Sequence, residues 1–292
     1  YRPTATSLRM GKLGYTNSVQ EHLDIRYNNL PEYIKGLRRA IQTPHASFEK
    51  LGLDDDDGNP IQINDHILQI ENEYYSPIRP KQIAMSGESP TEALERRGIA
   101  YVEFRAIDLD PYSDIGIRLS SACFLEVMAL YCLLSDSPEL MPAEEEALAV
   151  NVERVVNEGR RENLQIINNG DEQTLESWML MHLSRMQPLA ELLDAHYGGN
   201  EYRTAVALMQ GKAGHPESTI SAQVNSDSKR LGSLWQLGFT LAQQHRESIL
   251  QQTLSPNTQA KYEVLAEKSI LQQAELEAAE TEDFIEFLQQ YR

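Results

Sequence analysis

Two stretches of the chain set ionisable and hydroxyl-bearing side chains at alternate positions. The first runs Gln69-Ile70-Glu71-Asn72-Glu73-Tyr74-Tyr75 and continues as Ser76-Pro77-Ile78-Arg79-Pro80-Lys81; the second is Tyr101-Val102-Glu103-Phe104-Arg105-Ala106. Successive side chains of an extended strand point to opposite faces. Read as strands, the second stretch sends Val102, Phe104 and Ala106 to a core and keeps Tyr101, Glu103 and Arg105 together on the other face. The first puts Gln69, Glu71, Glu73 and Tyr75 on one face. A carboxylate and a guanidinium two residues apart suit a cation–phosphate unit, because the carboxylate ligates a hard cation and the planar fork grips phosphoryl oxygens. The same pattern also describes a solvated sheet face with a cross-strand ion pair. Spacing alone leaves both readings open.

Pro77 and Pro80 stiffen the segment that carries Arg79 and Lys81 and remove backbone donors from it. This pair of cations suits either phosphate or pairing with Glu71 or Glu73. Those two carboxylates have metal-ligating chemistry but no spacing that singles them out. Residues 86–90, Ser-Gly-Glu-Ser-Pro, could offer amides to an anion or simply cap a helix.

The elements that must position these groups follow from periodicity and caps. Asn29 before Leu30-Pro31 opens a helix with Tyr33, Ile34, Leu37 and Ile41 on its apolar stripe, stopped at Thr43-Pro44. Residues 60–64 read as a short strand, 67–75 as a longer one and 99–109 as another. Ser89-Pro90 starts a helix that ends at Gly98. From residue 118 onward the pattern is helical, with helices expected over 119–134, 143–158, 174–197, 201–209, 228–253, 258–279 and 282–291. Phe284, Phe287, Leu288 and Tyr291 make a docking stripe on the last. The expected organisation is residues 1–117 as a sheet-bearing unit and 118–292 as a helical region.

Composition bounds the function. The 292 residues hold 26 Lys+Arg against 44 Asp+Glu, a net charge of −18. That balance argues against a nucleic-acid backbone as ligand, which needs clustered positive charge. It makes the cations Arg9, Arg79, Lys81 and Arg105 conspicuous. No apolar run approaches the ~20 residues needed to span a bilayer. The acidic run 54–57 before Gly58-Asn59-Pro60 lacks the spacing of a calcium loop and reads as a solvated turn. Cys123 and Cys132 are the only cysteines. Nine residues apart on one helix they lie ~13 Å apart along its axis, too far for a disulfide, and two buried thiols fit a reducing compartment. No glycine-rich phosphate loop is present. His182 and His196, and Trp178 with Met179, Met181 and Met186, read as packing residues.

The first seventeen residues, Tyr1-Arg2-Pro3-Thr4-Ala5-Thr6-Ser7-Leu8-Arg9 followed by Met10-Gly11-Lys12-Leu13-Gly14-Tyr15-Thr16-Asn17, carry a more specific signal. Together with residues 68–81, 86–90 and 101–105, they closely resemble the proteobacterial-type glutamate–cysteine ligase family. The resemblance runs the length of the chain and is sharpest over residues 4–17 and 61–117. It implies an α+β fold: part of a curved antiparallel catalytic sheet of the glutamine-synthetase kind, followed by a mostly helical region. It implies ATP- and Mg2+-dependent ligation of the γ-carboxylate of L-glutamate to L-cysteine through an acyl phosphate, the first step of glutathione synthesis, in the cytoplasm, with small molecules rather than nucleic acid or membrane as partners. By the same resemblance, Glu103 matches a metal ligand and Arg105 a contact to the transferring phosphate. Arg9, Tyr15 and Tyr75 match the pocket of the acceptor cysteine. Arg79, Lys81, Glu71 and Glu73 remain candidates for phosphate contact or for support behind the metal ligands. The family is longer by roughly two hundred residues at the N-terminus. This chain therefore reads as the C-terminal portion, dependent on the remainder and inactive alone. A related carboxylate–amine ligase with another acceptor and a non-catalytic fragment are the competing readings.

Overall fold

The computed structural model describes residues 2–14, 18–20, 23–281 and 283–291. Helix α1, Leu30–Ala40, starts where expected: Asn29 accepts the amide of Glu32, and Pro31 sits in the first turn. It buries Tyr33, Ile34, Leu37 and Ala40 with Ile25, Leu68 and Leu94 in a first core. Gly36 permits that packing, since a Cβ there would lie 3.0 Å from the Asp24 carbonyl oxygen and from the Ile25 Cα. A short helix α2 (Ala46–Leu51) follows. Strand β1 (Ile78–Lys81), helix α3 (Pro90–Arg97) and strand β2 (Tyr101–Phe104) complete the sheet-bearing part. Ser89 and Glu92 form a reciprocal capping box on α3, and Gly98 ends it at φ +72°.

Three strand expectations change here. Residues 71–73 form a 3-10 turn rather than part of a strand, so Gln69, Glu71, Glu73 and Tyr75 share no strand face. Ladder pairing begins only at Ile78, and residues 60–64 make no strand beyond an isolated bridge between Asp54 and Pro60. The strand placed over 99–109 shortens to Tyr101–Phe104. It pairs antiparallel with β1 in the register Arg79 opposite Glu103 and Lys81 opposite Tyr101. Val102 is 45% exposed instead of facing a core. Phe104 and Ala106 are half-buried.

The second half is built from helices α4 (Leu119–Leu134) and α5 (Pro142–Glu158), a hairpin of β3 (Gln165–Asn168) and β4 (Asp171–Thr174), and helices α6 (Leu175–Tyr197), α7 (Glu201–Gly214), α8 (Ile220–Leu231), α9 (Leu234–Gln251), α10 (Pro256–Ala279) and α11 (Phe284–Tyr291). Helices α4, α6 and α7 enclose a second core of Val127, Leu183, Met186, Ala190, Leu193, Val206 and Ala213. The hairpin interrupts the stretch expected to be all helical. Its two-residue turn is Asn169-Gly170, both at positive φ, the pair that a type I′ hairpin selects. The helix expected over 228–253 is two helices. Gly232 at φ +94° ends α8, and the Ser233 side chain accepts the Gln236 amide to start α9. Cys123 is buried but Cys132 is exposed, so the reading of two buried thiols fails for one of them. On α11 only Leu288 is buried; Phe284, Phe287 and Tyr291 are exposed. Together the small antiparallel sheets and the helices make an α+β fold. No described helix is long and apolar enough to cross a membrane.

The two parts are laced by the N-terminal segment. The Thr6 amide and hydroxyl donate to the carbonyls of Val156 and Val155 at the end of α5. Arg160 answers with its Nε on the Ala5 carbonyl and Nη2 on that of Pro3. The Val156 carbonyl is one that the last turn of a helix leaves unpaired, whereas that of Val155 also accepts the Gly159 amide. The loop after β2 is fastened to α8 and α9 by Tyr112 on Asp227 and by His245 on the Pro111 carbonyl.

Candidate active site

Residues directly opposite on an antiparallel pair lie on the same face. The register therefore places Arg79 and Lys81 of β1 beside Tyr101 and Glu103 of β2. Lys81 Nζ lies 3.5 Å from Glu103 Oε2. Arg79 is 6% exposed. Its Nη2 donates to the Asn72 carbonyl at 3.2 Å, its guanidinium lies 5.9 Å from the centre of the Tyr74 ring, and its Nε is buried without a hydrogen-bond partner. Burial first, and the charge of Arg105 second, make the protonated guanidinium of Arg79 costlier to hold than usual. Burial, then Tyr27, pushes the Tyr74 hydroxyl well above its ordinary range, so it stays a neutral phenol.

Just beyond the ladder, Tyr75 organises two more cations. The guanidiniums of Arg9 and Arg105 each lie 5.9 Å from the centre of its ring, a separation at which an aromatic face attracts a cation. Arg9 donates its Nε to the Arg105 carbonyl. Its Nη edge makes no hydrogen bond among the described residues. Arg105 makes no side-chain hydrogen bond or ion pair among them. The Tyr75 amide donates to Gln20 Oε1 at 2.9 Å. Arg79 and Lys81 thus lie beside the carboxylate of Glu103, and Arg9 and Arg105 share the ring of Tyr75, in a chain of net charge −18. Such an arrangement attracts multiply charged oxyanions.

The loop carrying Arg9 is held by Asp108, a residue that the strand pattern did not single out. Its Oδ1 accepts the amides of Leu8 and Arg9, each at 2.9 Å, and its Oδ2 accepts the Ser7 hydroxyl. Ser7 Oγ in turn accepts the Met10 amide at 3.0 Å. The loop then folds back so closely that a Cβ on Gly14 would collide with the carbonyl oxygens of Leu8 and Arg9. The signal for Asp108 is positional: it lies three residues after Arg105, where the chain leaves the sheet.

The structure separates the remaining candidates from this cluster. The Glu71 carboxylate is buried and accepts the amide and hydroxyl of Thr91, so it anchors the first turn of α3. Glu73 Oε2 accepts the Gln69 amide and closes its own turn. Neither pairs with Arg79 or Lys81, whose carboxylate neighbour is Glu103. Tyr15 lies outside the described residues. Ser89 and Glu88 serve α3 as cap and ion pair. Among the described residues no three His, Cys, Asp or Glu gather as metal ligands.

The family model for glutamate–cysteine ligase matches residues 1–155. Glutamate–cysteine ligase from Alcanivorax borkumensis is 44% identical over 297 aligned residues, covering 100% of this chain and 56% of its own length. The Azotobacter vinelandii enzyme is 42% identical, covering 100% and 55%. The chain therefore spans about half the length of the curated relatives it matches. The crystal structure of glutamate–cysteine ligase from Francisella tularensis in complex with AMP superposes with a TM-score of 0.88 at 32% identity, covering 99% of this chain and 57% of that one. A bifunctional glutathione synthetase from Pasteurella multocida, 21% identical with a TM-score of 0.62 over 85% of this chain and 28% of its own, shares the fold. With more than half of its residues matched by that family model, the chain belongs to the glutamate–cysteine ligase family.

Proposed function

We propose that this chain supplies the phosphate side and the acceptor side of an ATP-dependent ligation of L-glutamate to L-cysteine, acting with the further region that its relatives possess. The observation that carries the reading is the placing of Arg9 and Arg105 about one aromatic ring, each 5.9 Å from its centre, beside the Arg79–Glu103 pair. It gives two cationic positions about one ring, as a reaction joining a phosphorylated carboxylate to an amino acid requires.

Arg105, whose guanidinium meets the Tyr75 ring but makes no hydrogen bond or ion pair among the described residues, would hold the transferring phosphoryl oxygens. Its contact strengthens as charge moves onto them, which is the condition for lowering the barrier. Arg79 is buried and fixed by Asn72 and Tyr74, so it adds positive potential without needing to reorganise. Arg9 spends its Nε on the Arg105 carbonyl, which aims the paired Nη edge outward for the carboxylate of the incoming cysteine. Tyr75 fixes the spacing of the two. Glu103 fits as one oxygen ligand of a hard cation, and the other ligands would come from outside the described residues. A magnesium ion bound there would neutralise phosphoryl oxygens. Lys81 would then exchange its ion pair with Glu103 for phosphate.

The reading is tested on the complete enzyme by acceptor-dependent release of ADP. Cysteine should support turnover, whereas cysteamine, which has the amine and thiol but no carboxylate to meet Arg9, should bind at least about tenfold more weakly. Equal use of the two would assign the ligase another acceptor or another way of holding it.

A further inference from the structure

Away from the Tyr75 cluster, a cavity of about 610 Å3 opens between the N-terminal segment, the loop after β2, the end of α5, and helices α7 and α8. That is within the roughly 300–1,000 Å3 of small-molecule sites. Lys212 lines it from α7. Its ammonium makes no hydrogen bond or ion pair among the described residues, and burial, then the nearby charge of Arg118, holds it below the ordinary lysine range. Arg160 lines the cavity too, and its bonded nitrogens meet neutral carbonyls, those of Ala5 and Pro3. Arg2 and Lys12 contribute two more cations.

Two carboxylates share the lining, and each has protein partners, although the charge of Asp110 also reaches Lys212 and partly offsets the lowering. Asp110 is 2.6 Å from Arg118 Nε, and Asp108 is filled by Ser7 and the amides of Leu8 and Arg9. The lining is thus positive within a strongly acidic chain. Ser228 adds a buried hydroxyl with no hydrogen-bond partner. Apolar wall is provided by Leu109 and Leu234, which are 76% and 50% exposed. An unpaired ammonium, an uncompensated guanidinium and an unsatisfied hydroxyl, facing an apolar wall, call for a doubly charged, many-acceptor head on an apolar body.

We propose that this cavity binds a small organic phosphate, its phosphate held by Lys212, Arg160 and Ser228 and its apolar part laid against Leu109 and Leu234. The lining includes none of Arg9, Tyr75 and Arg105, although it shares Ser7, Leu8 and Asp108 with the loop that carries Arg9, and the proposal stands whether or not the ligase reading does. It is tested on the complete protein by calorimetric titration with phenyl phosphate, inorganic phosphate and benzoate. Phenyl phosphate should bind this cavity saturably, more tightly than either of the others. Lys212→Met, which keeps the length of the side chain and removes a desolvated charge, should weaken it at least about tenfold. Leu109→Glu, at an exposed position that the fold tolerates, should weaken it by a similar factor. Arg105→Lys should leave it unchanged. No saturable binding, benzoate binding as tightly, inorganic phosphate binding as tightly, or loss on Arg105→Lys instead of on Lys212→Met and Leu109→Glu would each overturn the assignment.

Discussion

Asp108 Oδ1 accepts the backbone amide of Arg9 at 2.9 Å, and that bond decides where the Arg9 guanidinium can go. With the Leu8 amide on the same oxygen and the Ser7 hydroxyl on the other, the loop has one conformation. Arg9 then reaches the Arg105 carbonyl and the Tyr75 ring together. A carboxylate that touches no substrate thereby positions the group proposed to bind one.

Asp108→Ala in the complete enzyme should therefore raise the cysteine KM by about tenfold to a hundredfold, the scale of a misplaced binding group. The KM values for ATP and glutamate should move little. Asp108→Asn keeps an oxygen for both amides and should recover most of the loss. A uniform fall in kcat, or no recovery by Asn, would show Asp108 to be structural only.

Arg9 and Arg105 should separate in steady-state kinetics. Truncating one partner of a buried charged pair costs about 2–5 kcal/mol. Arg9→Lys keeps the charge and loses the planar fork, so a rise of about tenfold in cysteine KM is expected. Arg105→Lys should instead lower turnover with every substrate saturating. A KM rise for ATP in Arg9→Lys, with that for cysteine unchanged, would reverse the two roles.

Part of this neighbourhood was legible in the residues: an extended stretch over Tyr101–Phe104 was expected and is found, although Val102 does not face a core. The spacing of Glu103 and Arg105 left a cation–phosphate pair and an ion-paired sheet face both open, and only the family resemblance gave them roles, whereas the capped helices α1 and α3 announced themselves by Asn29-x-Pro31 and Ser89-Pro90. The stretch 69–75 was misread for a physical reason. Its alternation matches a strand, but the buried Glu71 carboxylate takes the amide and hydroxyl of Thr91, and this long-range bond favours a tight turn that no local pattern records. Asp108 was missed because its partners, Ser7 to Arg9, are about a hundred residues away in sequence. The hairpin at Asn169-Gly170 carried a readable turn signal, overridden by the helical texture around it.

Glu71 is expected to act on stability alone. Glu71→Gln leaves at least one of the two Thr91 donors poorly met and should destabilise the fold by about 1–3 kcal/mol in denaturant titration. The kinetic constants of the folded complete enzyme should be unchanged. A selective loss of magnesium response in that variant would return Glu71 to the site.

Glu88 gives a pH test of the α3 region. Its side chain is 5% exposed and pairs with Arg97 Nη2 and with Arg96 at 3.5 Å. The hydrogen bond from Arg97 is the largest of the causes that hold its carboxyl at about 2, against an ordinary 4.5. A carboxyl lowered in the folded state stabilises above its unfolded pKa, and that contribution fades as pH falls toward the folded value. Melting curves of the wild type and Glu88→Gln should differ at pH 6 and converge between pH 4.5 and 2. A gap that stays constant across that window would remove the Arg97 pair as its source.

The most direct measurement is turnover of the complete enzyme bearing Glu103→Gln, followed across magnesium concentration. The change keeps the shape opposite Arg79 and beside Lys81 but deletes the carboxylate that these two cations flank. If Glu103 lends an oxygen to the metal that faces the phosphates, kcat should fall at least ~100-fold and the magnesium requirement should shift upward. Near-normal kcat with an unchanged magnesium dependence would contradict the account, leaving Glu103 as the partner of Lys81 in an ordinary ion pair on the sheet.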